Sequence, residues 1–287
     1  MIIWIASYPK SGNTWVRAFL TSLLFKNDEK TNFKDLIKIN IYPRRSYFKK
    51  FTNEFNDINK LSNFWIKTQQ EINKDKKIRF LKTHHATCKI NGNNFTNTEN
   101  TLGRIYIVRD PRNVVSSYKY HFSIKTIEEA TQILFNKNQL IGNQENKNEI
   151  TSFTDNKVCT LISSWANHYN SWKLDWGKNL LIKYENLISN PQIEFGKIKN
   201  YIEQLSNSKI DEKKFINSIN KNSFIKLKKL EEEIGFSESA YDYNLKRRKK
   251  FFNLGPKNNW KVTLNKKIAK KIENEFYSEM KELGYIS

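Results

Sequence analysis

Residues 7–15 read Ser7-Tyr8-Pro9-Lys10-Ser11-Gly12-Asn13-Thr14-Trp15, directly after the apolar run Met1-Ile2-Ile3-Trp4-Ile5-Ala6. The residues that follow keep helical spacing through Val16, Ala18, Phe19, Leu20, Leu23 and Leu24, so the stretch predicts a strand, a tight loop and an amphipathic helix. A helix start leaves backbone N–H groups without intrahelical partners, at the positive end of the helix dipole, and such a junction suits an anion. A phosphate loop of the Walker type reads Gly-x-x-x-x-Gly-Lys-Ser/Thr. On that frame Ser7 takes the place of the first glycine, Gly12 the second, and Thr14 the hydroxyl. Asn13 stands where the lysine belongs, and Lys10 lies inside the loop instead. The cradle is kept and its cation is displaced, which points away from an ordinary NTP γ-phosphate.

Three more short apolar runs lie further along, at 78–82, 103–108 and 180–184, with helical patterns between them such as Leu161-Ile162-Trp165-Ala166-Tyr169-Trp172. Strands alternating with helices predict an α/β fold, a P-loop-like central parallel β-sheet flanked by α-helices, taken as one domain over 1–287. Ligands of such sheets bind at the carboxyl ends of the strands. After one run stands Arg109-Asp110-Pro111, with Ser116 and Ser117 in the helix that follows. An arginine fork with a serine hydroxyl two turns into a helix makes a second anion cradle. An Arg109–Asp110 pair is the plainer alternative. Another run ends in Lys82-Thr83-His84-His85. Strand alternation puts Lys82 and His84 on one face and Thr83 and His85 on the other, unless the strand has already ended. A histidine near its ordinary pKa of ~6.5 is a ready general base. A metal pair is the other reading of two histidines, but no acidic or cysteine partner stands at ligand spacing.

The octapeptide Tyr8–Trp15 resembles the signature of sulfotransferases that use 3′-phosphoadenosine-5′-phosphosulfate (PAPS), Tyr-Pro-Lys-Ser-Gly-Thr/Asn-Thr-Trp. The resemblance implies that Lys10, Ser11, Gly12, Asn13 and Thr14 receive the 5′ end of the nucleotide, and that Arg109 and Ser117 hold its 3′-phosphate. It makes His84 the base and sets Lys82 against the transferred group. His85 stands where animal cytosolic members usually carry Leu, so a share in the base role stays open. Lys183-Tyr184-Glu185-Asn186-Leu187 is similar to a segment whose tyrosine reaches the adenine edge, which implies Tyr184. Asn222-Ser223-Phe224 begins a stretch similar to Thr-Ser-Phe-x-x-Met-Lys, which implies Ser223 and Phe224 at the base, with Trp15 stacked on the other side. The last motif, usually Arg-Lys-Gly-x-x-Gly-Asp-Trp-Lys, departs. Gly255, Trp260 and Lys261 fit, while Asn253 and Leu254 replace the basic pair. Lys257, or the run Lys246-Arg247-Arg248-Lys249-Lys250, is the candidate source of the missing charge.

A formal net charge of +21 and a pI near 9.7 favour polyanionic ligands, although much of the excess is lysine scattered among Asn and Ile. Nucleic acid is not an expected partner. Cys88 and Cys159 show neither metal spacing nor a disulfide framework, which suits a reducing compartment. With no secretory pattern at the start and no apolar run of the ~18–20 residues that span a bilayer, a cytoplasmic protein is expected. Residues 40–75 and 136–157 read as less ordered and as contributors to an acceptor pocket. Ile268, Ile272, Phe276 and Met280 predict a packing helix over 266–283.

Together these imply metal-free transfer of a sulfuryl group from PAPS, leaving PAP, to a hydroxyl or amine of a small molecule, glycan or lipid. The alternatives are a nucleotide kinase or NTPase with a degenerate phosphate loop, or a basic polyanion-binding module. The first would need a lysine at position 13, and the second would concentrate its basic residues on one helix or ribbon.

Overall fold

The computed structural model describes residues 1–25, 32–142, 158–242 and 246–287. Ile2–Ser7 is the middle strand of a five-stranded parallel sheet, ordered Asn40–Ile41, Arg79–Thr83, Ile2–Ser7, Thr101–Val108 and Lys178–Lys183. Alternation sends Trp4 and Ala6 into one apolar layer, with Tyr42, Phe95 and Trp172. Ile3 and Ile5 enter the other, with Phe19, Phe195 and Ile182. A strand covered on both faces has to be apolar throughout, which is why this one reads as an unbroken hydrophobic run.

Helices Asn13–Phe25 and Pro191–Ser206 cover one face. Pro111–Phe122, Trp165–Ser171 and Lys266–Glu275 cover the other. Full burial of a side chain the size of Phe19 stabilises by roughly 1.5–3 kcal/mol. The layers are therefore what hold the strand ends in place.

Register then places the chemistry. Ala6 pairs with Thr83, Ser7 with Ile107, and Val108 with Lys183, so these strands end at one edge. The loop from Tyr8, then His84, Arg109 and Tyr184, leave the sheet together there.

Four of the five strands fall where the apolar runs predict them. The fifth, Asn40–Ile41, lies in the stretch 40–75 that reads as less ordered from sequence, and that expectation is corrected. The stretch folds into helices Arg45–Phe48, Ile58–Ser62 and Trp65–Asn73, with Tyr42, Phe48 and Trp65 fully buried. Its elements are too short to show a period, and their aromatics turn inward.

The helix expected from Leu161 starts at Trp165, where the Ser164 side chain accepts from Asn167 N. Thr160–Leu161 pairs antiparallel with Leu140–Ile141 instead. The C-terminal pattern is two helices, Lys266–Glu275 and Tyr277–Glu282, parted at Phe276; its four apolar positions are all buried. Of the stretch 136–157, residues 143–157 lie outside the described residues. Among the described residues no helix is long and apolar enough to cross a membrane.

Candidate active site

A cavity of about 750 Å³ opens at the carboxyl edge of the sheet. Its floor begins with the loop after Ile2–Ser7. Lys10 and Gly12 take positive φ values of 68° and 100°, and Gly12 O accepts the first helical bonds from Trp15 N and Val16 N. A Cβ on Gly12 would come within 2.5 Å of the Tyr184 ring, so position 12 needs glycine for space as well as for φ. The Asn13 side chain points back into the fold, donating to Ile5 O (2.9 Å) and Ser7 Oγ (3.2 Å). It pins the loop to the strand, which leaves its backbone N–H as the group open to a ligand. Ser11 is buried, and its Oγ has no protein partner.

The second cradle meets the first. Arg109 Nη1 donates to Lys10 O (2.9 Å) and to Ser117 Oγ (3.2 Å), with the guanidinium 4.3 Å over the Tyr184 ring. Asp110 is taken by Arg112 (2.7 Å), so the local pairing alternative for Arg109 does not occur. Asn258 Nδ2 also donates to Ser117 Oγ (3.0 Å). With both acceptor sites of that hydroxyl used, its O–H is left to donate. Arg109 Nε is buried and has no partner in the protein.

Lys82 and His84 both line the cavity. His84 Nδ1 lies 2.7 Å from Ser7 O. A carbonyl only accepts, so the proton sits on Nδ1 and Nε2 keeps its lone pair. Burial first, then the nearby Lys82 charge, pulls the His84 pKa down to about 3, so the ring is neutral at physiological pH. His168 Nε2 donates to His84 O (3.1 Å) while its Nδ1 accepts from Tyr106 Oη (2.8 Å), which fixes the backbone under the ring. His85 points the other way. It is fully buried, donates through Nδ1 to Ala86 O (2.6 Å) and stacks on Phe95 at 4.3 Å.

Lys10 Nζ lies 3.9 Å over the Phe251 ring. Burial, with Arg109 and Lys82 adding like charge, draws its pKa down to about 7. Lys82 is ion-paired to Glu238 (3.0 Å), whose other oxygen takes Arg17 (2.5 Å).

Around the outer wall the predicted residues divide. Thr14, Trp15, Tyr184, Phe224 and Gly255 line the cavity. Trp15 is mostly buried, with its Nε1 on Asn222 O (2.7 Å) and its ring edge-on to Tyr184. Phe224 lies against Gly255, where a Cβ would meet the ring at 2.0 Å. Ser223 does not line the cavity; its hydroxyl caps the helix Phe224–Ile234. Lys257 is exposed and outside the cavity wall, and Asn258 occupies that place. None of residues 246–250 lines it either. Arg248 binds Ser239 O (2.8 Å), Lys249 pairs with Asp242 (3.3 Å) and Lys250 with Glu232 (2.6 Å). None of the sequence candidates for the charge missing from the last motif lines the cavity.

Four residues escape the sequence reading: Glu238, His121, His168 and Asn258. Only Asn258 has a local signal, two positions before the matched Trp260. Among the described residues no cluster of three or more His, Cys, Asp or Glu could hold a metal ion.

The family profile described as "Sulfotransferase domain" matches residues 2–284. Among curated proteins the chain is similar to Sulfotransferase 1B1 of Canis lupus familiaris, at 26% identity over 216 residues, which is 73% of this chain and 61% of that protein. Among solved structures it is similar to mouse sulfotransferase SULT7A1 complexed with PAP, with a TM-score of 0.58, 19% identity, and coverage of 97% of this chain and 84% of that one. It is also similar to retinol dehydratase in complex with androsterone and inactive cofactor PAP, with a TM-score of 0.56, 16% identity, and coverage of 98% and 80%. These likenesses establish the fold, a central parallel sheet flanked by helices.

Proposed function

This chain belongs to the sulfotransferase family, and from that premise we propose that it moves a sulfuryl group from PAPS to a hydroxyl or amine acceptor, with His84 as the base. The observation that carries the reading is the meeting, in one cavity, of two anion cradles and a histidine whose lone pair is free. Ser11 Oγ and Arg109 Nε are buried donors with no protein partner, and a bound anion would satisfy both.

When bound, PAPS supplies an activated sulfuryl group attached to a nucleotide bisphosphate. Arg109 and the Ser117 hydroxyl would hold the 3′-phosphate, and Asn258 orients that hydroxyl. Lys10, Ser11 and the N–H groups through Thr14 would hold the 5′ end, where leaving charge develops. Fixed donors aimed at developing charge need no reorganisation during reaction. The adenine would lie among Trp15, Tyr184 and Phe224. His84 Nε2 takes the proton of the acceptor, and Ser7 O keeps the ring in the tautomer that can do so. Lys82 would face the sulfuryl oxygens. The same reading takes 1–287 as one domain and, from a cysteine pair with neither metal spacing nor a disulfide framework, the cytoplasm as its setting.

The test is a transfer assay with radiolabelled PAPS against panels of phenols, aliphatic alcohols, sugars and amines. Label should move to at least one acceptor class in wild type and to none in His84→Asn. Transfer undiminished in the variant would remove His84 from the mechanism.

A further inference from the structure

Among the described residues that line the cavity, Glu238 is the one acidic side chain, facing cations on several elements. It sits between helix Phe224–Ile234 and strand Tyr241–Asp242, outside every motif read from the sequence. One carboxylate oxygen lies 3.0 Å from Lys82 Nζ and the other 2.5 Å from Arg17 Nη1. Arg17 is itself held, donating through Nε (3.2 Å) and Nη2 (2.9 Å) to Leu36 O.

The segment that carries Glu238 is anchored without it. Arg248 Nη1 donates to Ser239 O (2.8 Å), Ser239 Oγ donates to Glu231 Oε1 (2.6 Å), and the Phe236 ring packs 4.4 Å from Phe33. Glu238 is therefore part of a built wall.

We propose that Glu238 is a positioning residue, bridging Arg17 and Lys82 so that the Lys82 ammonium stays charged and fixed beside His84. This rests on reading Lys82 as the cation that faces the transferred group. Lys82 is almost fully buried on the end of an apolar strand, with a second cation nearby, and burial alone lowers its pKa. Glu238 opposes that loss, while Arg17 and Lys82 together outweigh its own burial and hold its carboxyl well below the usual range. Lys10 of the loop, His84 after its strand and His121 of helix Pro111–Phe122 feel the same carboxylate. Without Glu238, Arg17 and Lys82 would face each other unscreened.

The experiment compares wild type, Glu238→Gln and Glu238→Asp after reductive ¹³C-methylation of lysines, with the Lys82 resonance identified by its absence in Lys82→Arg. The Lys82 titration midpoint should fall by at least about one pH unit in Glu238→Gln, the usual effect of losing a close opposite charge. Glu238→Asp, which keeps the charge and guards against loss of fold, should fall between. Calorimetry at pH 8 should show PAPS binding weakened several-fold in Glu238→Gln, with PAP, which lacks the sulfuryl group, bound as in wild type. An unchanged Lys82 midpoint would overturn the proposal, as would tighter PAPS binding in Glu238→Gln, which would make Glu238 a competitor for Lys82. Failure of wild type to bind PAP would sink the donor reading instead, and the Lys82 titration would still decide the role of Glu238.

Discussion

One region of the cavity wall, the loop Tyr8–Thr14 with Arg109 and Ser117, draws its donors from two short segments, each attached to the end of a buried strand. The second region of the same wall is drawn from Ile41, His121, Glu238 and Phe251, which come from stretches up to about two hundred residues apart. The first region is largely backbone, held by glycine conformation, helix N–H groups and side chains that bind main chain. The second is side chain on side chain. A backbone-built site constrains which residues can stand in it, so it leaves a motif. A site assembled from distant side chains needs only that each segment arrive. The first region should therefore carry cofactor chemistry that fails sharply on substitution, and the second should carry selectivity that shifts by degrees.

The sharpest break expected lies between two adjacent residues. His84→Asn should lower transfer by at least ~100-fold while PAP still binds, as expected for loss of a general base. His85→Ala should leave turnover per folded molecule nearly intact and lower stability by about 2 kcal/mol or more, because it empties a place between Phe95 and Trp65. Turnover of both variants, set beside their denaturant midpoints, reads the contrast. The reverse outcome would move the base to the core side of the strand.

Next in size is the arginine of the second cradle. Arg109→Ala should weaken PAP by roughly tenfold to a hundredfold, the loss of one charge-assisted contact worth ~1.5–3 kcal/mol. PAP calorimetry on the variant checks it, and an unchanged affinity would empty the cradle of its function.

A smaller effect follows from Lys10, whose pKa in the free protein is about 7. A bound anion favours the ammonium and raises that pKa, so binding above pH 7 takes up a proton. PAP affinity should be full below pH 7 and fall as pH rises through it, by up to about tenfold per pH unit. Titrations in two buffers of different ionisation enthalpy measure the proton directly. With its pKa near 3, His84 adds no acid limb between pH 5 and 8.

The smallest effect separates neighbours in the last motif. Lys257→Ala should change PAP affinity by less than about twofold, as for an exposed charge outside the wall. Asn258→Ala should cost more, since it releases Ser117 Oγ and Asn113 O. Affinities in the opposite order would restore the lysine as the missing clamp.

The parallel sheet and the strand, loop and helix of the first cradle were legible because each rests on local pattern: an apolar run, then glycine, then helical spacing. The strand ends at Thr83, so alternation does not reach the two histidines; what parts them is that His84 lines the cavity with Lys82 while His85 is buried in the core. The edge strand Asn40–Ile41 was not legible, being two residues long. Nor was Glu238. A single glutamate in a lysine-rich chain has no local signature, and its meaning comes only from Arg17 and Lys82, each more than 150 residues away. Lys257 is the converse case, a charge close to a motif in sequence that is exposed and outside the cavity wall, while its neighbour Asn258 lines it.

The central claim is that this cavity recognises a 3′-phosphate. Calorimetry of the wild-type protein with PAP and with AMP, which differ by that one group, tests it most directly. PAP should bind at least about tenfold more tightly, through Arg109 and Ser117. Equal affinities for the two nucleotides would contradict the account.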